Sequence, residues 1–318
     1  MHGLILHFNI FITSPIVPTS AVDGIDIPYQ QLEESYTSLA GRCVFCKSVG
    51  KEVARILYSK NAKVYMAARS EPKVNAAMGD IKEAHPTSKG TLTFVHLDLN
   101  DLSTIKASAE KFLSLESKLH VLFNNAGVQT ATPDIPKTVQ GYEHHLGINC
   151  LGTFLFTELL TPTLVATAQA EKSTPGSVRV VWVSSSGTEI GGEKSVGIHM
   201  DNLDYHVEKD YMYKYAVSKT GNWMHGVEYA KRHRADGVIS IPLNPGNLMS
   251  DLYRDAGLVL RILTKIIMYP PVNGVVPFGR IYPIRKDLVA ATKLETEGGN
   301  GTVLKFWDWT EDQVKPYL

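Results

Sequence analysis

From Gly50 onward the chain alternates short apolar runs with amphipathic stretches of ten residues or more, and no other feature constrains its fold as strongly. Runs at 62–68, 91–97, 120–123, 177–184 and 237–243 have the length and β-branched content of buried strands. Helical periodicity occupies the intervals, with one face built from Val49, Val53, Ile56 and Leu57 and later stretches at 102–115, 142–170 and 211–232. Pro72 suits the first turn of a helix beginning near Glu71, and Pro162 predicts a bend in the long 142–170 helix. Strands that alternate with helices of this length pair in parallel through right-handed crossovers. The expected fold class is therefore α/β, a doubly wound parallel sheet of Rossmann type in three layers. A chain of 318 residues can hold this as one domain, placed at 42–318, after an irregular extension at 1–41 that shows no sustained period.

In such sheets ligands sit beyond the carboxyl ends of the strands. The polar clusters of this chain fall there: Asp98-Leu99, Asn124-Asn125-Ala126-Gly127, Ser184-Ser185-Ser186 and Asn244-Pro245-Gly246 each follow an apolar run. Tyr215 and Lys219 lie at i and i+4 on a helix, hence on one face. That pairing suits proton transfer to an alkoxide formed by hydride addition. Bringing a phenol from about 10 to about 7 needs roughly 4 kcal/mol, and an ammonium about 4 Å away at an effective dielectric of 20 supplies on the order of 4 kcal/mol. The same spacing recurs at Tyr205/Lys209 and Tyr282/Lys286, so context must select among them. Tyr205 sits in a polar, loop-like stretch and Tyr282 precedes a proline, whereas small residues and an apolar-faced helix surround Tyr215.

Charge excludes one class of partner. Basic and acidic side chains number 32 each, with no basic run, so nucleic acid is not expected to bind. Cys43, Cys46 and Cys150 are too few for a disulfide framework, and no second pair completes a metal shell around Cys43 and Cys46, so no metal site is expected. The apolar start, residues 1–12, lacks a basic flank and is too short to span a bilayer. A cytoplasmic location without a membrane anchor is expected.

Taken in order and at these separations, the residues from Gly50 to Gly246 resemble the short-chain dehydrogenase/reductase family, most closely its retinol-dehydrogenase-like and fungal branch. The resemblance implies an oxidoreductase that moves a hydride between a nicotinamide cofactor and an apolar alcohol, aldehyde or ketone. It implies Tyr215 as general acid/base, Lys219 lowering its pKa and binding the nicotinamide ribose, Ser185 orienting the substrate carbonyl, and Asn149 holding a water that relays protons. Ser184 would replace Ser185 if the register is off by one. Gly50, Arg69, Asp98, Leu99, Asn125, Ala126, Gly127, Pro245, Gly246, Leu248 and Ser250 would line the cofactor. Arg69 closes the second strand in Ala67-Ala68-Arg69-Ser70 with no acid beside it, which favours NADP over NAD. The apolar segment 247–277 would lie over the substrate, and the long helices near Tyr142 and Tyr211 could form a homo-oligomeric interface. The aromatic tail at 306–309 reads as packing.

The pattern breaks at one place. Counted back from Gly50, the family's glycine-rich turn falls on Cys43, Val44 and Ser48, so two of its three glycines are replaced. A degenerate loop in a non-catalytic binding protein would account for this. So would a mistaken translation start or exon boundary ahead of residue 48.

Overall fold

The computed structural model describes residues 9–12, 49–130, 135–191, 193–245 and 284–318. Its strands are β1 (Asn9–Ile12), β2 (Lys63–Ala68), β3 (Thr91–His96), β4 (Val121–Asn124), β5 (Arg179–Val183) and β6 (Ile239–Leu243). They form one sheet in the order β3-β2-β1-β4-β5-β6. The pairs β2/β3, β4/β5 and β5/β6 are parallel, as the alternating pattern requires.

β1 departs from expectation. Asn9–Ile12, expected within an irregular extension, occupies the centre of the sheet and runs antiparallel to both β2 and β4. Ile10 stands opposite Met66 on one side and Phe123 on the other. A four-residue strand is too short to carry a period, so the apolar start at 1–12 gives no sign of it. The physical demand is plain, because β2 and β4 each present a row of backbone donors and acceptors that only a strand between them can satisfy.

The helices are α1 (Val49–Ser59), α2 (Glu71–Ala84), α3 (Leu102–Leu113), α4 (Thr153–Ala170), the short α5 (Gly187–Ile190), α6 (Tyr211–His233), α7 (Lys286–Ala291) and α8 (Thr302–Val314). Their starts follow local chemistry. Pro72 occupies the first turn of α2, while the Asp101 carboxylate accepts the Ser103 N–H and that of Asp210 accepts the N–H groups of Met212 and Tyr213. One apolar layer joins Tyr65, Leu122, Phe154 and Trp182, and the layer across the sheet joins Val53, Val64, Met66 and Val121. The alternation of Tyr65 and Ala67 with Val64 and Met66 assigns successive β2 residues to opposite faces.

α8 closes the molecule over α4 and α6. Phe306 and Trp307 are fully buried, with Trp307 edge-on to Phe154 at 4.7 Å and Phe306 stacked on His225 at 5.0 Å. The aromatic tail is packing, as its pattern suggests. Among the described residues one helix, Leu146–Ala170, is long and apolar enough to cross a membrane, and 61% of its apolar window is buried inside the protein.

Candidate active site

The Asn-Asn-Ala-Gly segment follows β4 directly. Asn124 donates from Nδ2 to Thr157 Oγ1 at 2.8 Å, which ties the strand end to α4. Gly127 then packs so tightly that a Cβ there would stand 2.9 Å from Asn149 Oδ1 and 3.2 Å from Lys219 Nζ. Only glycine lets this backbone reach both side chains.

Asn149 lies in a π-helical stretch, Leu146–Gly152, that enters α4. Such windings concentrate at functional sites. The side chain is fully buried, accepting the Val128 N–H at 2.7 Å and donating to the Val128 carbonyl at 3.0 Å and to Ser218 Oγ at 2.9 Å. Ser218 Oγ in turn donates to the Tyr215 carbonyl at 2.7 Å. Both amide hydrogens of Asn149 are thus engaged by protein groups, so the side chain holds the wall of the site.

α6 delivers Tyr215 and Lys219 to this point. Tyr215 is buried, and Lys219 Nζ lies 6.0 Å from the centre of its ring, on the same helical face. Lys219 donates to the Val183 carbonyl at 3.0 Å. Burial lowers its pKa from 10.5 to about 8, partly offset by Cys150. Of the two rival pairs, Tyr205 lies in a loop at φ 56° with Lys214, not Lys209, over its ring, and Lys209 stands over Tyr213. Tyr282 lies outside the described residues.

The two candidate serines are placed differently. Ser184 is buried, donating to the Lys219 carbonyl at 2.7 Å and pairing with Thr188 Oγ1 at 3.1 Å. Ser185 instead accepts the Gly187 N–H at 3.1 Å, and a Cβ at Gly187 would lie 3.5 Å from Ser185 Oγ and 3.6 Å from Tyr215 Cε1. Ser185 and Tyr215 therefore converge on Gly187. Accepting from Gly187 leaves the Ser185 hydroxyl proton for a further acceptor.

The remaining rim residues are spread along the strand ends. Gly50 is buried in the first turn of α1, and Arg69 is exposed immediately after β2. Asp98 accepts the Asn100 N–H at 2.9 Å, while Leu99 is buried against Gly152, where a Cβ would meet its carbonyl at 2.7 Å. Asn125 is buried and Ala126 packs against the core. Pro245 is half-buried after β6. Gly246, Leu248, Ser250, the 247–277 segment and the positions Cys43, Val44 and Ser48 lie outside the described residues.

Two residues escape sequence inspection: Glu143 and His145. His145 is fully buried with its ring edge-on to Tyr215, 6.0 Å between centres at 74°. Its place one helical turn before Asn149 was the available signal. Its neighbour His144 faces Thr130 Oγ1 at 3.0 Å, and burial holds its pKa below the ordinary value, with His145 and Arg69 adding to the effect.

A doubly wound sheet whose carboxyl rim carries a Tyr/Lys pair, a converging serine and a close-packed glycine turn defines a Rossmann-fold oxidoreductase. The family model described as short chain dehydrogenase matches residues 45–196. Short-chain dehydrogenase/reductase bet4 of Neocamarosporium betae is 47% identical over 313 residues, covering 90% of each chain. A short-chain dehydrogenase/reductase of Phomopsis amygdali is 51% identical over 297 residues, 85% of this chain and 87% of that one. The chain belongs to the short-chain dehydrogenase/reductase family. Its fold is similar to that of the Pseudomonas aeruginosa RhlG/NADP active-site complex, with a TM-score of 0.53 at 20% identity over 72% of this chain and 84% of that one.

Proposed function

We propose that the chain interconverts an apolar alcohol and its carbonyl with NADP(H), using Tyr215 as general acid/base. The convergence of Ser185 and Tyr215 on Gly187, with Lys219 behind the ring, carries this reading. The residues present fit a nicotinamide nucleotide at the end of β4, where Gly127 has no room for a side chain and so keeps the backbone close to Lys219. When bound, the cofactor supplies or accepts the hydride.

In reduction, the Tyr215 hydroxyl gives its proton to the nascent alkoxide. The Ser185 hydroxyl, free to donate, orients the same oxygen. Lys219 stabilises the phenolate left behind: taking the 6.0 Å to the ring as the charge separation, an effective dielectric of 20 gives about 3 kcal/mol. Asn149 and Ser218 hold the wall and the helix turn that carry these groups. Arg69, exposed after the second strand and unaccompanied by an acid, would face a ribose phosphate, which supports NADP over NAD. The apolar character of 247–277 and the retinol-dehydrogenase-like resemblance support an apolar substrate.

Calorimetry with NADPH and NADH in parallel, followed by a screen of apolar aldehydes and ketones with Tyr215→Phe as control, tests the reading. Micromolar NADPH binding and a turnover abolished by Tyr215→Phe are expected. Absence of binding at millimolar cofactor would sink the enzyme reading and leave a non-catalytic Rossmann protein.

A further inference from the structure

We infer that Glu143 and His145 are positioning residues for the reaction proposed above, on which this inference rests: they fix the wall at 128–130 and brace the Tyr215 ring. The residues involved lie outside the Tyr215/Lys219/Ser185/Asn149 set, and the proton arrangement is set by their partners.

The backbone N–H of Thr130 points at His145 Nε2, 2.8 Å away. A backbone amide can only donate, so Nε2 is the bare, accepting nitrogen and the ring proton sits on Nδ1. Nδ1 then donates to Glu143 Oε1 at 2.7 Å. The second carboxylate oxygen, Oε2, accepts the Leu146 N–H at 2.8 Å at the opening of the π-helical stretch. Glu143 thus selects the tautomer that Thr130 requires, and a helix-terminal amide in turn orients Glu143. Both side chains are buried, His145 fully and Glu143 to 8% exposure. Hydrogen bonds from His145 and from the Leu146 amide keep the Glu143 carboxyl below its ordinary range despite that burial.

His145 and Asn149 act as two pegs one turn apart. Asn149 holds Val128 through both its N–H and its carbonyl, and His145 holds Thr130. The pegged segment continues directly from Gly127, which packs on Lys219. The His145 ring also meets the Tyr215 ring edge-on, an arrangement that aromatic quadrupoles favour. A shift at Thr130 therefore moves both the wall beside the reacting atoms and the ring that supplies the proton. Misplacements on the order of 1 Å can lower rates about 100-fold.

Two variants separate the parts. His145→Gln puts an acceptor near the Nε2 position and can keep the Thr130 bond. His145→Asn puts an amide near the Nδ1 position, keeping the Glu143 partner but losing the Thr130 acceptor. We expect His145→Asn to lower kcat by about tenfold or more with the cofactor KM changed less than about twofold, and His145→Gln to restore most of the rate. Nitrogen NMR of histidine-labelled protein, assigned by the variants, should show a protonated Nδ1 and a bare Nε2 at His145. Amide exchange at Thr130 should accelerate in His145→Asn and not in His145→Gln.

Undiminished turnover in His145→Asn with wild-type activity present overturns this inference and leaves the proposed function standing. A proton found on Nε2 overturns it as well. A wild-type chain without carbonyl reduction, yet with the expected nitrogen signals and Thr130 protection, overturns the proposed function while the peg arrangement stands.

Discussion

Lys219 is fully enclosed between Gly127 and the end of β5, and its ammonium donates to the Val183 carbonyl oxygen 3.0 Å away. A cation buried there weakens the fold. Burial lowers its pKa from 10.5 to about 8, which corresponds to about 3 kcal/mol of lost stability. Because the folded pKa of this base is depressed, the loss is complete below about pH 8 and fades as the pH rises toward 10.5. Lys219→Met should abolish turnover and, after about 1 kcal/mol for the missing hydrogen bond, raise stability at pH 7 by roughly 1–2 kcal/mol. Urea unfolding at pH 7 and pH 10 measures this. A destabilised variant at pH 7 would refute it.

Glu158 has the opposite titration. Burial on α4 raises its pKa from 4.5 to about 7, Glu311 of α8 adds to the rise and Arg232 of α6 opposes it. One carboxyl oxygen has no partner. The raised folded pKa gives a contribution that is complete below pH 4.5 and lost as pH climbs through about 7. Glu158→Gln should therefore stabilise the chain by up to about 3 kcal/mol at pH 8 and by much less at pH 5. Thermal unfolding at the two pH values decides, and an equal effect at both would contradict the assignment.

Arg69 stands exposed after the second strand, where a ribose phosphate would lie. Charge-assisted hydrogen bonds of about 1.5–3 kcal/mol imply a 10- to 100-fold weaker NADPH affinity in Arg69→Ala, with NADH little changed. Calorimetry with both nucleotides gives the answer. Equal losses for the two would remove Arg69 from the discrimination.

Gly127→Ala places a methyl 2.9 Å from Asn149 Oδ1 and 3.2 Å from Lys219 Nζ. Both neighbours must give way by a few tenths of an ångström, which strains their bonds to Val128 and Val183. Overpacking of this kind costs about 1–3 kcal/mol, and the displaced Lys219 should lower kcat more than KM. Denaturant unfolding and steady-state kinetics check the two effects separately.

Much of this site was readable from residue order because its parts are local. Helix and strand periods located β2 to β6, and the polar clusters that follow β3, β4 and β5 came with them. Tyr215 was separable from Tyr205 because small residues at 216 and 218 and an apolar-faced helix follow it, whereas Tyr205 sits in a polar, loop-like stretch. What stayed hidden depends on contacts distant in sequence. Ser184 and Ser185 look alike until Lys219 and Gly187 are placed beside them. His145 looks like an ordinary polar residue near a helix start until Thr130 and Tyr215 close around it. The direction of β1 depends on a sheet vacancy between β2 and β4, which no local pattern records.

That strand supplies the last test. Asn9–Ile12 pairs on both sides, so each inner residue directs its N–H toward one neighbouring strand. A proline in such a position removes a ladder hydrogen bond. Ile10 lies between Met66 and Phe123, in the middle of the sheet. Ile10→Pro should destabilise the chain by about 1–3 kcal/mol, the cost of leaving a ladder carbonyl in the middle of the sheet without its donor. Amide exchange across β2 and β4 sharpens the test, since loss of the central strand should speed exchange in both strands at the amides that point toward it. Unchanged unfolding and exchange in Ile10→Pro would show that the sheet core does not depend on this segment, and that the centre of the sheet is filled in another way.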